Sequence, residues 1–231
     1  MRILVLTDNP TLYEKVCDVI DNLKGYDVDF FTSTLSGLGK LDLKDGNVVD
    51  KIINEYDMVL SLHSQQIFPT KLFENVRCVN IHPGFNPYNR GWYPHVFSFI
   101  NNLPVGVTIH EINGDIDAGD IIYQERIEVS STDTSLEVYQ KILELEKRVI
   151  GEKIKDVFDG NYKAKPMGDE GNLNFKKDYL NLCELDMTNV DTFENHINIL
   201  RALSHGDYKN AFFFDKGGEK VYVKVSLTNT N

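Results

Sequence analysis

The chain has 231 residues with 24 Lys and Arg against 35 Asp and Glu, a formal net charge of -11, and a hydrophobic fraction of 42%. That composition and length are those of a folded protein with one large domain, or a main domain and a smaller appendage. The acidity argues against nucleic acid or an anionic membrane as a general electrostatic partner, so an anionic ligand needs a local cluster of cations or a helix N-terminus.

Arg2 opens a short apolar run, residues 2–7, which reads as a strand broken by Asn9 and Pro10 before a helical pattern over 12–23. No secretion signal is read at this start and no run approaches a membrane span, so a cytoplasmic location is expected. Residues 26–32 alternate apolar and acidic side chains as a second strand, and 35–47 read as a Gly- and Asp-rich loop. A helix over 49–56, a strand over 58–62, a brief helix over 70–74 and a buried strand over 78–81 continue an α/β alternation.

Pro94 stands at a favourable first-turn position for a helix over 94–101. Residues 106–112 and 121–129 read as an antiparallel strand pair. Thr132, Asp133 and Thr134 then offer a cap for a long amphipathic helix to about residue 158, with Leu136, Tyr139, Ile142, Leu145, Val149 and Ile154 inward. The expected organisation is a mostly parallel, Rossmann-like α/β domain over 1–160, then a small helix-plus-hairpin region over 161–231. A boundary or surface crossing is expected over 160–174, a helix over 192–203, and a hairpin turning at Lys216, Gly217, Gly218 and Glu219. Cys17, Cys78 and Cys183 are odd in number and widely spaced, which suggests reduced thiols and neither a disulfide framework nor a zinc knuckle.

The densest chemistry lies between Asn80 and Pro94. Asn80 and His82 are two apart on a strand and therefore share a face, and Pro83 turns the chain out at the carboxyl edge, where open α/β sheets bind ligands. Taken alone, His82 reads equally as a hydrogen-bonded histidine at a strand end, and Asn80 as a turn residue. A second polar insertion runs from Gly106 to Asp120. His110 and Asp115 there read as well for solvent or loop hydrogen bonds as for function, and Asp117, Ala118 and Gly119 suggest a tight turn carrying a carboxylate. Thr7, Asp8, Asn9 and Pro10 stand where a dinucleotide-binding protein has its glycine-rich turn, and no Walker, nucleophile-elbow or zincin pattern occurs.

Asn80-x-His82-Pro83, then Arg90-Gly91, Gly106-x-Thr108-x-His110 and Asp117-x-Gly119 together resemble the formyltransferase family that uses N10-formyltetrahydrofolate. The resemblance covers residues 1 to about 160 and implies catalytic roles for Asn80, His82 and Asp117 with no metal. The Gly84-Phe85-Asn86-Pro87 loop, which departs from the family's usual Ser-Leu-Leu-Pro, looks like the branch acting on dTDP-4-amino-4,6-dideoxyglucose in surface-polysaccharide synthesis. The implied donor site is a cleft lined by His63, Ser64, Gln65, Gln66, Ile67 and Phe68, with Asp115 in reach.

The implied acceptor is a dTDP-linked amino sugar, a doubly negative ligand. Arg90, Arg201, His205 and Lys209 are the cations or near-cations expected to meet it, with a solvated helix-to-hairpin turn as the alternative for the last three. Trp92, Tyr93 or Tyr208 offer faces for thymine, and Asn86, Tyr88, Asn89 and Asn210 lie on the same segments. These residue types suit acyl transfer to an amine: an amide or imidazolium donates to a developing oxyanion, an imidazole near its ordinary pKa of ~6.5 exchanges the amine proton, and a carboxylate orients it. Another amino-sugar nucleotide, or a binding protein without turnover, are the alternatives. The hairpin pattern is read with Phe212 and Phe214 on one face and Val221, Val223 and Val225 across the turn, an apolar surface that needs a partner: the long helix of the same chain or, as the resemblance implies, a second subunit in a homodimer.

Overall fold

In the computed structural model, which describes residues 1–168 and 171–229, the first apolar run forms strand β1 (Arg2–Thr7). Ile3, Leu4, Val5 and Leu6 are fully buried, as in a central strand covered on both faces. There follow α1 (Pro10–Asp21), β2 (Asp27–Thr32), β3 (Gly39–Lys40), α2 (Gly46–Glu55), β4 (Met58–Leu62), α3 (Thr70–Phe73) and β5 (Arg77–His82). Asn9 caps α1 by accepting from the Leu12 amide at 3.0 Å, and Pro10 sits in the first turn, where its missing N–H costs nothing.

The chain continues through β6 (Arg90–Gly91), α4 (Pro94–Asn101), β7 (Gly106–Glu111), β8 (Ile121–Arg126) and α5 (Ser135–Asp159). One seven-stranded sheet has the order β3-β2-β1-β4-β5-β7-β8, parallel through β5 and antiparallel at β5-β7 and β7-β8. The order reverses direction at β1 and β4, so a crevice opens at their carboxyl ends. Helix α5 begins with a capping box between Thr134 and Glu137 and ends at Gly160 with φ 71°. Its buried Val138, Ile142, Leu145, Val149 and Ile154 pack with α1 and the sheet in the larger core, so truncating Ile142 to Ala would cost about 2–5 kcal/mol.

The rest is β9 (Leu173–Asn174), α6 (Lys176–Cys183), α7 (Phe193–Leu203), β10 (Phe212–Phe214) and β11 (Lys220–Tyr222). Four features differ from the sequence expectation. The short edge strand β3 lies within the supposed loop. Helix α6 has too few inward residues for a periodic signal; only Cys183 is buried outright, with Tyr179 and Leu182 packing partly. The supposed crossing at 160–174 returns to the site, because β9 pairs in parallel with β6. In the hairpin, Phe212 pairs with Tyr222, Phe213 with Val221 and Phe214 with Lys220. Val221 therefore shares a face with Phe213 instead of standing opposite Phe212 and Phe214, since directly paired residues point the same way.

Candidate active site

Register brings the polar residues of two strands together. In the antiparallel β5-β7 pair Asn80 lies opposite His110, and His82 opposite Thr108. Asp117 reaches them from the turn after β7 with a left-handed φ of 48°. The turn depends on Gly119, where a Cβ would stand 1.7 Å from the Glu111 carbonyl oxygen. Asn86 braces it from the other side by donating its side-chain amide to the Asp117 carbonyl at 2.8 Å.

The Asp117 carboxylate is the centre of the cluster. Its Oδ1 accepts from Asn80 Nδ2 at 3.0 Å, its Oδ2 accepts from the Gly91 amide at 3.0 Å, and that Oδ2 stands 3.4 Å from His82 Nδ1. Burial works to raise its pKa, but His82, His110 and the Gly91 N–H outweigh it and hold the group well below the usual carboxylate range. Asp117 is therefore ionised at neutral pH.

His110 Nδ1 is 2.7 Å from the Glu111 carbonyl and must donate to it, so in the neutral ring Nε2 accepts from Asn80 Nδ2 at 3.2 Å. Both Asn80 amide hydrogens are thus engaged. His82 differs: Nδ1 faces the carboxylate, which leaves Nε2 as the lone-pair atom, and Nε2 is buried without a partner. Burial depresses the His82 pKa to about 4 against the opposing pull of Asp117. The expected unperturbed imidazole is thereby corrected: at neutral pH His82 is an unprotonated base whose free nitrogen lies in the site.

These groups line a cleft of about 1090 Å³ that also takes in His63, Ser64, Gln65, Gln66, Ile67, Phe68 and Asp115, together with Trp92, Tyr93, His205, Tyr208 and Asn210. Within it, His63 is fixed between Asn9 and the fully buried Glu146, at 2.8 and 2.7 Å. Phe68 is packed in the second core cluster, while Ile67 is 79% exposed.

Six residues expected at the acceptor are outside the lining of this cleft. Asn86 and Asn89 are buried braces, the latter accepting from Asn101 and Asn172. Tyr88 lies outside the cleft lining, its amide turned back to the Phe85 carbonyl. Arg90 donates to the Ile116 carbonyl at 3.2 Å. Arg201 spends its guanidinium on the Asp133 and Ser130 carbonyls and Asn198, over the Phe99 ring. Lys209 lies over Tyr222. Arg90, Arg201 and the two asparagines thus already have partners within the fold.

Sequence reasoning missed the role of His110 in the cluster, which follows from the register of β5 against β7. It also missed Tyr139, from α5, and His95, whose Nδ1 is buried without a partner and whose pKa burial lowers to about 3; both line the cleft. Among the described lining residues none is Lys or Arg; Lys176 stands beside the cleft, 5.3 Å over the Trp92 ring. No group of three or more His, Cys, Asp or Glu suited to a metal ion occurs among the described residues.

Comparison with known proteins places this geometry. Residues 44–154 match the family described as Formyl transferase, and residues 178–229 match the N-formyltransferase dimerization C-terminal domain. A dTDP-4-amino-4,6-dideoxyglucose formyltransferase of Mycobacterium tuberculosis is 44% identical over 98% of this chain and 97% of its own length. The crystal structure of a 4-N formyltransferase from Francisella tularensis superposes with a TM-score of 0.93 at 40% identity, covering 99% of this chain and 98% of that one. A formyltransferase from Anoxybacillus kamchatkensis, solved with UDP-4,6-dideoxy-4-formamido-L-AltNAc and tetrahydrofolate, superposes with a TM-score of 0.62 at 25% identity over 79% of this chain and 91% of that one. With the Mycobacterium relative matched over nearly its whole length and Asn80, His82 and Asp117 drawn together at the sheet's carboxyl edge, the chain belongs to the formyl transferase family.

Proposed function

We propose that the protein transfers the formyl group of N10-formyltetrahydrofolate to the 4-amino group of dTDP-4-amino-4,6-dideoxyglucose, giving an N-formyl sugar nucleotide for surface polysaccharide. The observation that carries the reading is the unpartnered Nε2 of His82, a neutral buried base set beside an ionised Asp117. The relative named for this substrate, aligned over 98% of the chain, supports the choice of acceptor. Exposed Ile67 and Ile116, on two loops of the same cleft, are apolar surfaces that a flat folate ring would cover, and so the residues present fit the donor.

When bound, the folate supplies an electrophilic formyl carbon. As the sugar nitrogen bonds to that carbon, its proton passes to His82 Nε2, and Asp117 stabilises the imidazolium across 3.4 Å. His82 then returns the proton to the folate nitrogen as the old carbon–nitrogen bond breaks. Of the Asn80 hydrogens, the one shared with His110 Nε2 is the one free to turn to the developing oxyanion, because the bond to Asp117 is charge-assisted.

The chain acts in this reading as a cytoplasmic homodimer with a catalytic domain over 1–160 and a C-terminal region over 161–231 that pairs subunits and supports nucleotide binding. Exposed Phe214 and Tyr222 on one face of the hairpin and Val221 on the other support the pairing, as does the match of residues 178–229 to a dimerization domain. Among the described residues no helix is long and apolar enough to cross a membrane. The test is an assay of the donor against dTDP- and UDP-linked 3-amino and 4-amino sugars, read by mass spectrometry. Formylation of the dTDP-linked 4-amino sugar at the highest kcat/KM is expected. Preference for another sugar would move the acceptor, and formylation of non-sugar amines alone would reject the substrate class.

A further inference from the structure

At the end of the first strand, where a doubly wound sheet commonly cradles a ligand's phosphate on backbone amides, this chain places a carboxylate of its own. Asp8 is buried, and both its oxygens are surrounded by donors from two other loops. Oδ1 accepts from Thr32 Oγ1 at 2.8 Å, from the amide and hydroxyl of Ser33 at 2.7 and 2.9 Å, and from the amide and hydroxyl of Thr34, both at 3.2 Å. Oδ2 accepts from the Gln65 amide at 2.8 Å and lies 3.4 Å from Ser64 Oγ. The amides that elsewhere would greet an anion are here gathered on a side chain.

The loops so joined follow β2 and β4, the two neighbours of β1 in the sheet. The second of them, residues 63–68, forms one wall of the cleft. Its other ties lie to either side of Asp8: Gln66 accepts from the Leu43 amide at 2.7 Å and donates to the Leu41 carbonyl at 3.1 Å, and His63 is held by Asn9 and Glu146. Only Asp8 fixes the backbone of the middle of that wall, at Gln65, among these contacts. The catalytic cluster stands on β5, β7 and the turn beyond, and Asp8 makes no hydrogen bond to it.

We propose that Asp8 is a positioning residue for the formyl donor, an internal anion that shapes the 63–68 wall to receive the folate while leaving the chemistry to the cluster opposite. The proposal rests on the reading of this cleft as a folate site. Replacing Asp8 by Asn places an amide N–H against gathered donors whichever way it turns, so the wall loses its anchor without loss of volume. Burial works to raise the Asp8 pKa, but the bonds from Gln65, Thr32 and Ser33 outweigh it and hold the carboxyl below its ordinary range, as an acceptor for so many donors requires.

The test is titration calorimetry of the full-length protein with tetrahydrofolate and, separately, with the dTDP-linked amino sugar, combined with steady-state kinetics. For Asp8→Asn we expect the tetrahydrofolate Kd and the donor KM to rise about tenfold or more, the scale of lost charge-assisted bonds, with kcat at saturation within about threefold and sugar-nucleotide affinity unchanged. For Asp8→Ala, added acetate should restore donor affinity in a saturable way by refilling the anion position. A folded Asp8→Asn protein with parental tetrahydrofolate affinity overturns the proposal, as does an equal loss of donor affinity, acceptor affinity and kcat, which would mark general support of the fold. Should either variant unfold, acetate titration of Asp8→Ala followed by thermal melting decides: acetate that restores folding without restoring donor affinity overturns it. Failure of the parental protein to bind tetrahydrofolate at all would instead reject the folate reading.

Discussion

Replacing Asp117 by Asn keeps the shape of the side chain and removes its charge, so it isolates the electrostatic part of the account. The carboxylate oxygen lies 3.4 Å from His82 Nδ1. At an effective dielectric near 20, a full imidazolium there gains about 5 kcal/mol from the negative charge. If the proton on His82 is fully developed when the barrier is crossed, losing that interaction lowers kcat by about a thousandfold or more. The ground state suffers as well. Wherever the new amide nitrogen sits it meets an N–H, that of Asn80 on one side or those of Gly91 and His82 on the other, at a cost of about 1–3 kcal/mol in stability. Turnover at saturation, measured by chromatography of the formylated product, and thermal unfolding by circular dichroism separate the two losses. A folded Asp117→Asn enzyme with kcat within tenfold of the parent would refute the reasoning about the His82–Asp117 pair.

A Cβ added by Gly84→Ala would stand 2.4 Å from His82 Nε2 and 3.3 Å from Pro94 Cβ, so the ring must shift. A misplacement of this size should cost about a hundredfold in kcat, and unchanged turnover would show that this nitrogen is not the base. Burial lowers the pKa of His82 to about 4 and of His95 to about 3, from an ordinary 6.5. Because the unfolded chain binds those protons first, the associated stability is present above about pH 6.5 and is lost as pH falls toward 4 and then 3, on the order of 3 kcal/mol or more for each histidine. Melting temperatures that stay level from pH 7 to pH 4 would contradict the buried neutral state of both rings. Light scattering should find the parental chain dimeric at micromolar concentration and the hairpin variant Val221→Asp monomeric, because a charge on this 37% exposed side chain disfavours an apolar interface; a monomeric parent would exclude the proposed pairing.

Much of the architecture was legible because its signals are local. The apolar runs of β1 and β4, Pro94 in the first turn of α4, and the Thr134 cap of α5 each carry their reason within a few residues. Asn80 and His82 were readable as partners because a strand has a period of two. The aromatic faces of Trp92 and Tyr93 were placed at the cleft for similarly local reasons, since they follow the motif loop directly. What was hidden is non-local. Nothing near His110 says that its ring meets Asn80, because that follows from the antiparallel register of β5 and β7, two strands separated in the chain by β6 and α4. The pinning of the motif loop by Asn172 and β9 depends on a segment about eighty residues further on. Arg201 looked like an anion contact because charge is visible in a sequence, whereas the two carbonyls that consume it are not. The depressed pKa of His82 likewise comes from burial, which residue identity does not disclose.

The central claim is that His82 is the base for formyl transfer to a sugar-nucleotide amine. It is tested most directly by mixing enzyme, the dTDP-linked 4-amino sugar and a donor carrying an isotopically labelled formyl carbon in a single turnover, with parental and His82→Ala proteins side by side. The account predicts that the parental enzyme moves the labelled carbon to the sugar nucleotide, and that His82→Ala does so about 10²–10⁴-fold more slowly while binding both ligands as before. A His82→Ala protein that transfers the label at the parental rate, or a folded parental protein that leaves the label on the donor, would contradict it.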